Sequence, residues 1–298
     1  MKKVIRIFGL CALVALTFTS CKKNTTEVKS FKATTAQLQT NSDSKTHIGG
    51  GNAARQYFVW DAGNVIKVFN NQGQNASFEV SGLDQGGRAA EFHIYDSYSE
   101  FMENITTPNI YTAYYPDAVC DHDEIAVPLP SRQMQAFLGA EYNISNNTFP
   151  MYGHNAVNED GDPYFAFTSN ACVMEVSFGK SVENISIDSL VFTSKVPGEL
   201  IAGSLIHDLD GNYVRFDGTK ESVTIVAYKP QNWSAGTYLP FHIVFPAGIF
   251  ATGFNMDVYE GSTLISHNEG YIEDLNFQRT PTEAGTYVSL NRIILDAQ

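Results

Sequence analysis

The sequence predicts an all-β protein: two tandem antiparallel β-sandwich domains behind an export signal and a flexible tether. Three observations carry this. Short alternating runs of β-branched and aromatic residues recur along the chain, each bounded by Gly, Pro, Asn or Asp. No amphipathic helix of about 10–15 residues separates them, as parallel strands would require. No period of about 20–50 residues repeats, which excludes propellers and solenoids. The 298 residues include 20 Phe, 15 Tyr and 43% hydrophobic residues, enough to pack cores and too many for a disordered chain. With 19 Lys+Arg against 32 Asp+Glu the formal charge is −13, and no cationic face is segregated, so nucleic acid is excluded as a partner.

The first twenty residues read as an export signal. Lys2, Lys3 and Arg6 precede an apolar stretch over 7–18, and small residues lead into Cys21. That stretch is too short to span a bilayer, which takes about 20 residues. It resembles a bacterial lipoprotein signal, with Phe18 where Leu is usual, and the resemblance implies that Cys21 becomes the N-terminus and carries the lipid, palmitate included. The other reading is an ordinary secretory signal with an incidental cysteine. Removing 1–20 takes three cations from 19 and no acids, leaving −16. Each buried CH₂ of a lipid contributes ~0.8 kcal/mol, so two or more chains hold the protein at the outer membrane.

Residues 21–44 are rich in Thr, Ser, Gln, Asn and Lys with no sustained apolar period, which predicts a tether spanning about 25–30 Å when flexible. Next come a candidate strand over 45–48, the run Gly49-Gly50-Gly51, and Arg55, the first arginine after the signal. Further strands are expected over 57–60, 65–69, 77–80, 91–95, 110–115, 164–167, 173–178, 185–193, 200–205, 223–228, 238–245, 254–259 and 287–295. Helix is minor: 132–140 reads as a helical turn and 98–103 as a second. An apolar strand ends at Gly179-Lys180 and a new alternating run begins at Ile185, so the N-terminal domain is expected over 45–180 and the C-terminal domain over 181–298.

Catalytic signatures are missing one after another: no G-x-S-x-G, H-E-x-x-H, G-x-x-x-x-G-K-[ST] or G-x-G-x-x-G occurs, so no enzymatic activity and no cofactor is expected. The run Cys120-Asp121-His122-Asp123-Glu124 reads as a solvated acidic loop, because adjacent side chains seldom converge on one ion. Asp208-Leu209-Asp210-Gly211-Asn212 and Glu159-Asp160-Gly161-Asp162 lack the closing Glu of a calcium loop and read as hairpin turns. No metal site is assigned. Cys120 and Cys172 remain after the signal; in an oxidising compartment they either pair or stay apart, with Cys172 as a small core residue. Trp60, Trp233 and the tyrosines pack cores or build a sugar-stacking platform. Asp188-Ser189-Leu190 resembles the short O-glycosylation acceptor of Bacteroidetes and also suits a strand.

Three motifs stand out in the first half of the chain: Trp60-x-x-Gly63-Asn64-x-Ile66-x-Val68-Phe69, then Tyr111-Thr112-Ala113-Tyr114-Tyr115-Pro116, and Pro128-Leu129-Pro130 with Gln133. Pro150-Met151, the stretches 165–178 and 186–192, Ala202-Gly203-Ser204 and Ala284-Gly285-Thr286-Tyr287 follow in order over nearly the whole mature chain. Together these stretches resemble the fimbrillin family of Bacteroidetes, FimA-like or Mfa-like lipoprotein pilus subunits, in which Asp is common in place of Asn64. The resemblance implies transthyretin-like sandwiches and a fimbrium assembled by strand exchange, adhering to a host or bacterial surface. Its partners would be other fimbrial subunits, in a homo- or hetero-polymer. It also implies proteolysis after a basic residue, with Arg55 or Lys45 as candidates, which releases the first strand and opens a groove. The donor strand is expected near the C-terminus, where Val288 and Leu290 offer one face and Ile293 and Leu295 the other. The alternative function is a monomeric surface lipoprotein that binds glycans through exposed aromatics.

Overall fold

The computed structural model describes residues 30–34, 37–40, 56–57, 60–71, 73–84, 87–95, 111–138, 141–144, 148–157, 163–180, 185–231, 234, 238–250, 252–270, 286–289 and 293–295. In chain order the strands are β1 (Ser30–Thr34), β2 (Gln37–Thr40), β3 (Gln56–Tyr57), β4 (Val65–Asn70), β5 (Asn75–Leu83), β6 (Ala89–Ile94), β7 (Tyr111–Tyr115) and β8 (Val119–Asp121). There follow β9 (Glu124–Leu129), β10 (Arg132–Leu138), β11 (Glu141–Ile144), β12 (Met151–Val157), β13 (Pro163–Thr168), β14 (Ala171–Lys180), β15 (Ile187–Ser194) and β16 (Ala202–Asp208). The last are β17 (Tyr213–Lys220), β18 (Ser222–Gln231), β19 (Tyr238–Pro246), β20 (Phe254–Glu260), β21 (Thr263–Gly270), β22 (Thr286–Ser289) and β23 (Ile293–Leu295). No helix occurs among the described residues. The protein is all-β.

Seven strands close on themselves in the order β1-β13-β12-β7-β4-β5-β6. Alternation builds them: along β4, Ile66 and Val68 are buried while Val65 and Lys67 between them are half-buried. The hairpin β4–β5 turns where Asn70 and Gln74 bond to each other through both backbone and side chain, with Gly73 at φ +76°. Inside the ring, Trp60 packs edge-on against Phe92, Tyr115 and Phe167 at 5.1–5.4 Å between ring centres.

The second core lies between two sheets, β11-β10-β18-β15-β20-β21 and β19-β14-β22-β2-β3, with β23 also paired to β14. A four-stranded sheet, β17-β16-β9-β8, adds Ile125, Val127, Leu129 and Leu205 to the first core. Strand β14 serves both cores: Ala171 and Val173 face the first, while Cys172, Met174, Val176 and Phe178 face the second. The cores do not divide at one point of the chain, because β9 pairs with β16 and β10 with β18.

Two expectations are corrected. The helical turn over 132–140 is strand β10, because Arg132 to Gln135 run parallel to β18 and Gln135 to Leu138 antiparallel to β11, and this pairing overrides a weak helix propensity. The tether over 21–44 contains β1 and β2, since Phe31 and Ala33 fill the first core at 1% exposure each. The expected helical turn at 98–103 and strand at 45–48 lie outside the described residues.

Candidate functional site

β1 is inserted between two strands instead of lying on a margin. It pairs antiparallel with β6, Phe31 opposite Phe92 and Ala33 opposite Ala90, and parallel with β13, Ala33 opposite Phe165. The ring of Phe31 meets Phe78 edge-on at 4.8 Å, Phe165 at 4.9 Å and Tyr111 at 6.1 Å. At the end of the strand, Thr34 Oγ1 and Tyr164 Oη share a 3.0 Å hydrogen bond. Five residues therefore close the ring on both sides with one aromatic anchor. The sequence reading missed Phe31 and Ala33; the signal was their spacing of two, set in a polar stretch.

The C-terminal segment is seated on its own chain. β22 runs parallel to β14, Val288 opposite Met174, and parallel to β2, Gln39 opposite Thr286. β23 runs parallel to β14 farther along, Ile293 opposite Phe178 and Leu295 opposite Lys180. Leu295 is 3% exposed in the second core and Ile293 packs against it. The N-terminal stretch thus meets both ends of the candidate machinery, with β1 in the ring and β2 against β22. Cys21, Lys45, Arg55 and Leu290 lie outside the described residues.

The polar clusters are structural. His122 and Asp123, at φ 46° and 68°, form the two-residue turn of the β8–β9 hairpin. Arg215 crosses from β17 to β9, where Nη1 and Nη2 donate to the two carboxylate oxygens of Glu124 at 2.6 and 2.7 Å. That hydrogen bonding holds the Glu124 carboxyl below its usual range. In the β16–β17 turn the Asp208 carboxylate accepts from the backbone and side chain of Asn212 at 2.7 and 3.0 Å. Among the described residues no three His, Cys, Asp or Glu converge to hold a metal ion. The loop over 159–162 lies outside them.

His207 is 1% exposed, its Nδ1 lies 3.2 Å from the Gly211 carbonyl, and burial pushes its pKa down. Glu175 Oε2 and His242 Nε2 lie 3.4 Å apart, both buried, on β14 and β19, and Ser177 Oγ donates to Glu175 at 3.1 Å. No disulfide joins Cys120 to Cys172, whose positions belong to different cores. Burial raises the Cys120 thiol. Trp60 is 2% exposed and packs the first core, while Trp233 lies outside the described residues. Asp188 accepts from the Gly261 backbone, and Ser189 sits in a strand paired on both sides, so this triplet forms part of a sheet.

No protein-family model and no curated protein matches the chain. Solved structures do match. A candidate cell adhesion protein of Bacteroides ovatus is similar at a TM-score of 0.50 and 11% identity, over 90% of this chain and 92% of that one. A candidate cell adhesion protein of Bacteroides uniformis has a TM-score of 0.48 and 12% identity, over 88% and 93%. The tip fimbrial protein Mfa3 of Porphyromonas gingivalis has a TM-score of 0.29 and 11% identity, over 80% and 81%. The first of these shows a shared fold over nearly the whole length.

Proposed function

We propose that this chain is an adhesive or structural subunit of a surface fimbria, exported as a lipoprotein and held at the outer membrane through a lipid on Cys21 until it is processed. It joins further subunits, of its own or another kind, by exchanging β-strands, and carries out no catalysis. The observation that carries the proposal is the seat of β1. A strand lodged between two others leaves, on removal, a slot with unpaired backbone on both walls and an aromatic pocket at its centre. Arg55 and Lys45 follow β1 and β2 in the chain, so cleavage at either severs both from the body. The all-β fold shared with a candidate cell adhesion protein supports the same reading.

The C-terminal segment carrying Val288, Leu290, Ile293 and Leu295 is the proposed donor. In the single chain it completes its own sheet beside β14, and its ladder bonds can be remade elsewhere. A second reading, glycan binding by a monomer, is favoured by the exposed rings of Tyr95, Tyr213 and Tyr228, at 64%, 41% and 69%. Brief trypsin treatment followed by an unboiled SDS gel separates the two. The fimbrial reading predicts a ladder of resistant multimers; a single band together with saturable retardation by polysaccharide supports the glycan binder instead.

A further inference from the structure

Strand β19 stands at a margin: β14 pairs with it on one side, and among the described residues no strand pairs with the other. A margin of this kind presents a row of N–H and C=O groups on which another chain can form a strand. The N–H groups of His242 and Val244 turn away from β14 to meet side chains of β10. By alternation Pro240 and Pro246 face the same way, and proline has no N–H to offer. Between the two prolines the outward donors are therefore those of His242 and Val244.

Each of these donors meets a glutamine. The His242 N–H donates to Gln135 Oε1 at 2.8 Å and the Val244 N–H to Gln133 Oε1 at 2.9 Å. The same two amides donate back, Gln135 Nε2 to the Pro240 carbonyl at 2.9 Å and Gln133 Nε2 to the Val244 carbonyl at 2.6 Å. Each primary amide accepts and donates once along β19, as a facing peptide group would. The two-residue spacing on β10 matches the two-residue repeat of β19, both near 6.6–6.8 Å, so both pairs form together. Gln133 and Gln135 are 1% and 0% exposed, and a buried amide is tolerated where its bonds are satisfied. The backbone of β10 is meanwhile committed to β18 and β11.

We propose that Gln133 and Gln135 are surrogate strand partners that close the β19 margin to a strand from a second copy of this chain. Strand addition is thereby directed to the slot that β1 fills. The purpose of the seal rests on the strand-exchange reading above; the seal itself does not. Amide hydrogen exchange on the intact, unprocessed chain tests it, with Ile243 as the internal reference because its N–H faces β14. In the wild type, His242 and Val244 are expected to exchange as slowly as Ile243.

In the chain carrying Gln133→Met and Gln135→Met, which keeps the stems and deletes the amides, those two sites speed up by about tenfold relative to Ile243. The unprocessed variant also associates in light scattering, with cross-links that map to 238–246. Rapid exchange in the wild type overturns the proposal, as does a variant that stays protected or stays monomeric. The wild-type arm needs no variant to fold, and Gln133→Met alone repeats the measurement at Val244. Protected amides in a chain that never polymerises after processing refute the strand-exchange reading alone. Unprotected amides in a chain that does polymerise refute the seal alone.

Discussion

A methyl group added at Gly203 would meet the carbonyl oxygen of Asp217 at 2.0 Å, a backbone atom that cannot move aside without parting β16 from β17. Gly203→Ala should therefore cost about 2–3 kcal/mol in urea unfolding, the scale of overpacking. Phe31 gives a residue-level reading of the assembly claim. Phe31→Ala should destabilise the unprocessed chain by about 3–4 kcal/mol. It should leave the strength of finished multimers unchanged, because the strand that carries it has been released; SDS resistance of the ladder measures this. His207 sets a pH dependence. Burial lowers its pKa from 6.5, against the opposing pull of the Gly211 carbonyl and Asp208 and with help from nearby His154, so the folded state binds its proton less readily than the unfolded chain. Its contribution is complete above about pH 6.5 and is lost as the pH falls from there through the depressed folded value. Urea midpoints at pH 8 and pH 5 should differ more for the wild type than for His207→Gln.

At the scale of elements, what the sequence disclosed depended on how local the signal was. β4, β5 and β15 carry their alternation openly, and the Trp60-x-x-Gly63-Asn64 run marks a turn. There Gly63 takes φ +85°, Asn64 Oδ1 accepts from the Asp61 N–H at 2.9 Å, and Asn64 itself is 4% exposed. β1 was hidden because two apolar residues among Thr and Lys form no sustained period; its partners β6 and β13 lie far along the chain. β10 was hidden for a related reason, its glutamines being buried against β19 at a sequence distance of more than a hundred residues. The C-terminal pattern was readable in part. Val288 falls in β22 and Ile293 and Leu295 in β23, of which Leu295 is buried, while Leu290 lies outside the described residues. Deleting 287–298 should abolish multimers after processing and also lower the stability of the monomer, read by thermal unfolding, because Leu295 leaves the second core. Multimers of wild-type length from the truncated chain would refute a donor role.

For the whole molecule, the physical picture is a pair of cores joined through β14, with β1 and β2 on one side and β22 and β23 on the other lodged in sheets of the same body. The ring owes its closure to β1, the second core is filled in part by β23, and β2 lies against β22. A net charge of −13 as translated makes copies repel one another at long range, so the proposed assembly relies on backbone ladders and apolar pockets. Ala33 and Ala90 are buried partners across β1 and β6, close enough in an antiparallel pair for a disulfide. A chain carrying Ala33→Cys and Ala90→Cys, cleaved between β1 and the body and then run with and without reductant, asks directly whether that strand must leave. The account predicts monomers while the bond is intact and a multimer ladder once it is reduced. Equal ladders in both lanes would contradict it.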